Sequence, residues 1–268
     1  MKRLNLVLGG CLISLVLGAA LLSFVWLPYD PNVSDWSAQL SGATPEHWLG
    51  TDHLGRDLLS RLLVGARSTL YVGFIAVGIA LSAGCVLGAL AGYAGGLWDD
   101  ALMRLIDTLY AFPAILLALL LAAIYDPGTL TAMSAIGVAT IPVFARLMRS
   151  SVISLKTRPF VEAARAQGVS EARLLWRHIL PGTSAPIIVQ ASLSLAVAVL
   201  AEAALSYLGL GTPPDVPSWG NMLREAQGFL RRSPTFALVP GLAIVMTVLG
   251  WGLLGDGLRD VLDPRDRG

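Results

Sequence analysis

The chain has 268 residues, 55% hydrophobic and 14% charged, with a formal net charge of +1 and a mean hydropathy of +0.68. Soluble domains carry roughly 25% charged residues, and a soluble fold of this size could not hide so much apolar surface, so the composition describes an integral membrane protein. The near-zero charge points away from nucleic acid, and the two cysteines, Cys11 and Cys85, each inside an apolar run, exclude a disulfide framework and a CxxC zinc or redox motif.

A helix needs about 20 apolar residues to cross a bilayer, and six stretches approach or exceed that. The first is Leu4 to Leu27. Lys2 and Arg3 precede it, but its apolar run exceeds the roughly 7–15 residues of a signal peptide core, so it reads as an uncleaved anchor. A loop follows from Pro28 to Arg67. There Leu54, Leu58 and Leu62 share one helical face while Asp57 and Arg61 pair one turn apart, which predicts an amphipathic helix on the membrane surface. Trp36 and Trp48 suit the same interface. His47, Asp52, His53 and Asp57 crowd this loop and are ligand-type residues, but the interface helix is the reading preferred here over a metal site. Residues 1–68, the anchor and this loop, form one unit; residues 69–268 form the second, with five spans.

Ser68 to Trp98 is the second span. Small residues recur every fourth position, at Ala76, Ala80, Gly84, Gly88, Gly92 and Gly96, drawing one stripe along the helix. Such stripes permit close helix packing in lipid; the partner is either another span of this chain or a second membrane subunit. Thr108 to Tyr125 and Pro127 to Ala145 are the third and fourth spans, split by the turn Asp126-Pro127-Gly128, with Pro113 near the start of the third.

The loop 148–184 is polar yet ordered. Pro159 can open a helix with Glu162 in its first turn, and Ala163, Ala164 and Ala166 favour helix. Gly168 reads as its stop, Ser170 as the cap of a second helix, and Pro181 as that helix's end. Span five, Ile179 to Ala201, leads to Glu202, the one carboxylate well inside a predicted span, about 10 Å before Gly209. It is either a gate or pathway-lining group, or a hydrogen-bonded structural residue helped by Ser206. Arg231, Arg232 and Trp219 lie in the next loop, as ordinary surface residues or as a partner contact. Ser233 to Gly255 is the last span. With the N-terminus inside, inner segments hold 13 of the 19 basic residues, which the positive-inside rule favours. Both termini and the loop 148–184 are then cytoplasmic.

Residues 160–181, FVEAARAQGVSEARLLWRHILP, resemble the cytoplasmic loop of ABC importer permeases. Glu162, Ala163, Ala164, Gly168, Leu180 and Pro181 fall in register; His178 stands at the usual Ile position, and Gly182 where Asn is common. HWLGTDHLGRDLLSRLLVGARSTL (47–70), LAEAALSYLGLG (200–211), SWGNML (218–223) and GDGLRDVLDPR (255–265) are similar to the second permease subunit of the dipeptide/oligopeptide/nickel branch.

The resemblance implies an all-α, six-span permease without an ATP site, moving peptides, nickel or related small solutes into the cytoplasm. It further implies a homologous second permease, two ABC ATPase subunits or domains and a periplasmic solute-binding protein. Glu162 to Gly168 would be the coupling helix seated in the ATPase. It implies no cofactor, no metal site in the outer loop, no nucleic acid and no catalytic residue. No GxxxxGK[ST] phosphate loop is present. The competing reading is a self-sufficient secondary transporter or channel, which would need no ATPase.

Overall fold

The structure, a computed structural model, describes residues 2–262; Arg265, Arg267 and the end of the 255–265 motif lie outside them. Ten α-helices follow one another among the described residues: α1 (Lys2–Val25), α2 (Leu58–Ala94), α3 (Gly96–Tyr110), α4 (Ala114–Tyr125), α5 (Thr129–Lys156), α6 (Pro159–Ala166), α7 (Glu171–Arg173), α8 (Ser184–Tyr207), α9 (Trp219–Ala226) and α10 (Pro234–Leu262). Five helical runs are long and apolar enough to cross a membrane: Leu4–Val25, α2, α5, the run Glu171–Tyr207, and α10.

The third expected span, Thr108 to Tyr125, is not one helix. α3 and α4 meet at 87°, and they make a sixth crossing only if the bent pair counts as one. The physical cause is Pro113, which forms the N-cap of α4 and has no N–H to continue α3. The charged residues of α3 mark the second difference: Asp99 pairs with Arg149 of α5 at 2.5 Å, and Asp107 with Arg146 at 2.6 Å. α3 therefore presents a polar side to α5 rather than a uniform apolar surface.

α2 starts ten residues before the expected span, at Leu58, and runs unbroken for 37 residues. The separate interface helix expected over 54–62 does not form. Asp57 is the N-cap of α2, its carboxylate accepting from the Ser60 N–H at 2.8 Å, and the segment after it is the first turns of the span. Asp57 and Arg61 consequently do not pair. Trp36 and Trp48 are both largely exposed, as the interface reading requires.

α2 packs along α5, and the small residues set the contact. A Cβ at Gly84 would lie 2.7 Å from the Ile141 carbonyl oxygen and one at Gly92 2.8 Å from that of Arg149, while Gly88 faces the Ala145 carbonyl; from the other side Gly137 faces the Ala76 carbonyl at 3.0 Å. The stripe thus meets a helix of this same chain. Gly96 is not part of it, because α2 ends at Ala94 and Gly96 opens α3 with φ +55°. A second close approach, α1 on α10, uses Gly9 and Gly257. Their added Cβ atoms would stand 2.5 Å from the Leu254 nitrogen and 2.6 Å from the Leu6 nitrogen. Association in lipid rests on packing of this kind, since burial against lipid-like neighbours releases no water.

Candidate functional site

Two places gather the residues singled out by sequence, at opposite ends of the bundle. One is the segment joining α5 to α8. Pro159 occupies the first turn of α6, where its missing N–H costs nothing. Val161 and Ala164 are buried in the core cluster that holds Val152, Leu174 and Ile179. Glu162, Ala163, Arg165, Ala166, Gln167 and Gly168 are exposed. The Gly168 N–H bonds the Arg165 carbonyl at 3.0 Å and the Val169 N–H bonds the Ala164 carbonyl at 3.2 Å. That is the Schellman pattern, and it needs the left-handed φ of +81° at Gly168. No atom lies within 4 Å of a Cβ built there, so the backbone conformation, not a neighbour, demands glycine. α6 is thus a short helix, seated by two apolar residues, with a small-residue face free.

The second helix of the loop differs from expectation at both ends. Ser170 is the N-cap of α7 by backbone conformation, but its hydroxyl accepts no capping hydrogen bond. Pro181 does not end the helix. After Arg173 the chain widens into a π-helical turn, Leu174–Ile179, then tightens into a 3-10 turn, Leu180–Thr183, which carries Leu180 and Pro181 and runs on into α8. Arg165 donates to the Glu171 carboxylate at 3.1 Å, and that bond raises the guanidinium pKa. Trp176, in the π-helical turn, is 73% exposed.

The other place is the end bearing loops 26–57 and 208–233. Glu202 is fully buried. It accepts from Ser206 at 2.7 Å, Thr212 at 3.2 Å and Thr69 of α2 at 3.2 Å. Three hydroxyls thus face its carboxylate. Beyond it lies an ion cluster. Asp52 accepts from Arg56 Nε at 2.6 Å, and Glu225 accepts from Arg56 at 2.7 Å and from Arg61 at 3.0 Å. Arg61 and Asp52 have no exposed side-chain surface. Gly55 makes this loop possible: it has φ +76°, and a Cβ there would strike the Asp35 carbonyl.

The four residues weighed as metal ligands separate. His47 Nδ1 meets Asp57 at 2.9 Å, while His53 stacks on Phe229 with ring centroids 5.3 Å apart. Ligand atoms of Asp52, His53 and Glu225 do lie within 4.8 Å of one another. Both carboxylates are already neutralised by Arg56 and Arg61, whose positive charges would repel a cation. Trp219, read as a surface residue, is 2% exposed and donates Nε1 to the Leu62 carbonyl at 3.1 Å. Asn221 Nδ2 holds the Thr212 and Pro213 carbonyls at 2.9 and 3.1 Å. Arg231 and Arg232 are exposed.

Sequence reasoning missed Glu225, Thr69 and Thr212 as partners, along with the clamping role of Asn221. The one local signal was Ser218, which caps α9 by accepting from the Asn221 N–H at 3.2 Å. The other pairings span loops too long to be read from spacing.

The family model for the binding-protein-dependent transport system inner membrane component matches residues 84–268. A dipeptide transport system permease protein of Alkalihalophilus pseudofirmus is 47% identical over 229 residues, covering 85% of this chain and 75% of that protein. A glutathione transport system permease protein of Escherichia coli is 42% identical over 269 residues, covering 100% of this chain and 89% of that protein. Among solved structures, the inward-facing MetNI methionine ABC transporter superposes with a TM-score of 0.64 at 18% identity, over 76% of this chain and 96% of that one. An amino acid ABC transporter crystallised with histidines gives 0.59 at 16% identity, over 75% and 94%. These two likenesses are of fold. With a family match over most of the chain and permease relatives above 40% identity, the chain belongs to the binding-protein-dependent transport system inner membrane component family and is a permease subunit of an ABC importer.

Proposed function

We propose that this permease carries short peptides and that α6 is its docking helix on a cytoplasmic ATPase. The exposed, Schellman-capped α6 carries the reading. A rigid helix with an alanine face can seat closely in a partner's groove, and its buried side ties it to the spans. The chain has no ATP site of its own. It pairs with a homologous permease, two ABC ATPase subunits or domains and a periplasmic binding protein. Both termini and α6 face the cytoplasm, and loops 26–57 and 208–233 face the periplasm. The relatives named for dipeptides and for glutathione handle small molecules built on peptide bonds, which supports a short peptide as solute. Nickel has no such support.

Glu202 sits where it would close the outer end. Thr69 joins it to α2 and Thr212 to the outer loop, while Ser206 holds it from within α8, so parting α8 from α2 and the loop breaks the first two contacts together. Purification of the tagged chain from native membranes tests the reading: an ABC ATPase should come down with it, and a cysteine at Ala163 should crosslink to that ATPase. Solute uptake by the purified chain alone in vesicles would refute it.

A further inference from the structure

α2 is joined through polar groups at two levels to the helical run Glu171–Tyr207, which begins with α7 and ends with α8. At the outer level Thr69 donates to Glu202 at 3.2 Å. At the inner level the Tyr93 hydroxyl, in the last turn of α2, lies 3.0 Å from the Glu171 main-chain carbonyl and also meets the Glu171 carboxylate. The two levels are roughly 36 Å apart along α2 at 1.5 Å per residue. Glu171 is a junction, since Arg165 of α6 donates to the same carboxylate at 3.1 and 3.4 Å. Lys156, at the end of α5, donates to the Tyr93 carbonyl at 2.6 Å and lies 5.1 Å from the Tyr93 ring centre. That carbonyl is among the last acceptors of α2, which have no partner within the helix, and a cation there complements the helix dipole.

Two routes therefore lead from α6 to the outer end. One follows the backbone into α8, which passes first through the π-helical turn Leu174–Ile179 and then the 3-10 turn Leu180–Thr183. Helices yield at such interruptions. The other passes through Glu171 to Tyr93 and along α2, which is α-helical over 37 residues with no proline and is braced on α5 at Gly84, Gly88 and Gly92. A push at α6 is absorbed along the first route and carried along the second.

We propose that Tyr93 is a positioning residue for transport. It passes the movement of α6 and Glu171 to α2, whose outer end carries that movement to Arg61 and to the Thr69–Glu202 contact. The proposal rests on the reading of α6 as the ATPase-docking helix. Tyr93→Phe removes one oxygen, and with it both contacts to Glu171, and keeps the ring beside Lys156, so the fold stays intact; Glu171→Ala removes only the carboxylate contact and leaves the main-chain carbonyl in place.

The test is hydrogen–deuterium exchange on the assembled transporter in nanodiscs, with and without ATP plus vanadate. In the wild type, nucleotide trapping should alter exchange both at residues 159–169 and at residues 208–233. In Tyr93→Phe the change at 159–169 should persist, while the change at 208–233 falls at least fivefold; Glu171→Ala should show the same pattern with a smaller loss. An unaltered outer response in Tyr93→Phe overturns the proposal, as does a wild type that responds at 159–169 and not at 208–233. A wild type in which 159–169 is neither protected by the ATPase nor responsive to nucleotide refutes the docking reading itself.

Discussion

Thr69 on α2 and Glu202 on α8 stand 133 residues apart in the chain and meet inside the bundle at 3.2 Å. Glu202 also accepts from Ser206 and Thr212, so one carboxylate binds two helices and the outer loop. Glu202→Ala leaves these hydroxyls without an acceptor, and an unmade buried hydrogen bond costs about 1–3 kcal/mol. The detergent-solubilised variant should melt several degrees lower, and Glu202→Gln, which keeps an acceptor, should lose less. Equal melting of Glu202→Ala and wild type would contradict the clamp.

The ion cluster makes a sharper demand. Arg61 has no exposed surface, and it reaches Glu225 at 3.0 Å with Asp52 at 3.6 Å. Arg61→Met leaves buried Asp52 and half-buried Glu225 short of a cation, and breaking a buried pair from one side costs about 3–5 kcal/mol. The expected result is little folded protein at normal expression, read by size-exclusion recovery. Recovery at the wild-type level would mean that Arg56 alone balances both acids.

Alanine-for-glycine changes along α2 should divide by what each glycine faces. Gly88 abuts the Ala145 carbonyl, whereas nothing lies within 4 Å of a Cβ at Gly78. Gly88→Ala must push α5 away, and overpacking costs about 1–3 kcal/mol. Gly78→Ala gains helix propensity worth up to ~1 kcal/mol. Thermal melting should fall for the first and hold or rise for the second; the reverse order would contradict the packing of α2 on α5.

At Gly168 the discriminating pair is Gly168→Asn and Gly168→Val. The position needs φ +81°, which Asn tolerates and a β-branched residue does not. Val should lower uptake at least tenfold while the complex still inserts, and Asn should retain most of it. Equal uptake by the two would remove the left-handed cap from the docking role.

Sidedness is open to direct labelling. In a background with Cys11 and Cys85 replaced by alanine, Arg231→Cys should react with a membrane-impermeant maleimide in intact spheroplasts. Gln167→Cys should react only after lysis; both side chains are exposed. The opposite pattern would invert the proposed topology.

Composition and hydropathy alone determined that the chain lies in a membrane and where most of its spans fall, because about 20 consecutive apolar residues have few other uses. The α6 segment was legible too: Pro159, Glu162 and Gly168 act on their own few residues of backbone, and those local rules hold before any tertiary contact forms. The break between α3 and α4 was half legible, since Pro113 announces it while the 87° bend depends on what α3 leans against.

What only the tertiary structure decided was partnership. The spacing of Asp57 and Arg61 suggested that they pair, yet Asp57 caps α2 and Arg61 crosses to Glu225. Tyr93 and Glu202 find their partners on distant segments of chain. Electrostatic and hydrogen-bond energies depend on distance in space, and in a bundle of antiparallel helices that distance bears almost no relation to separation along the chain.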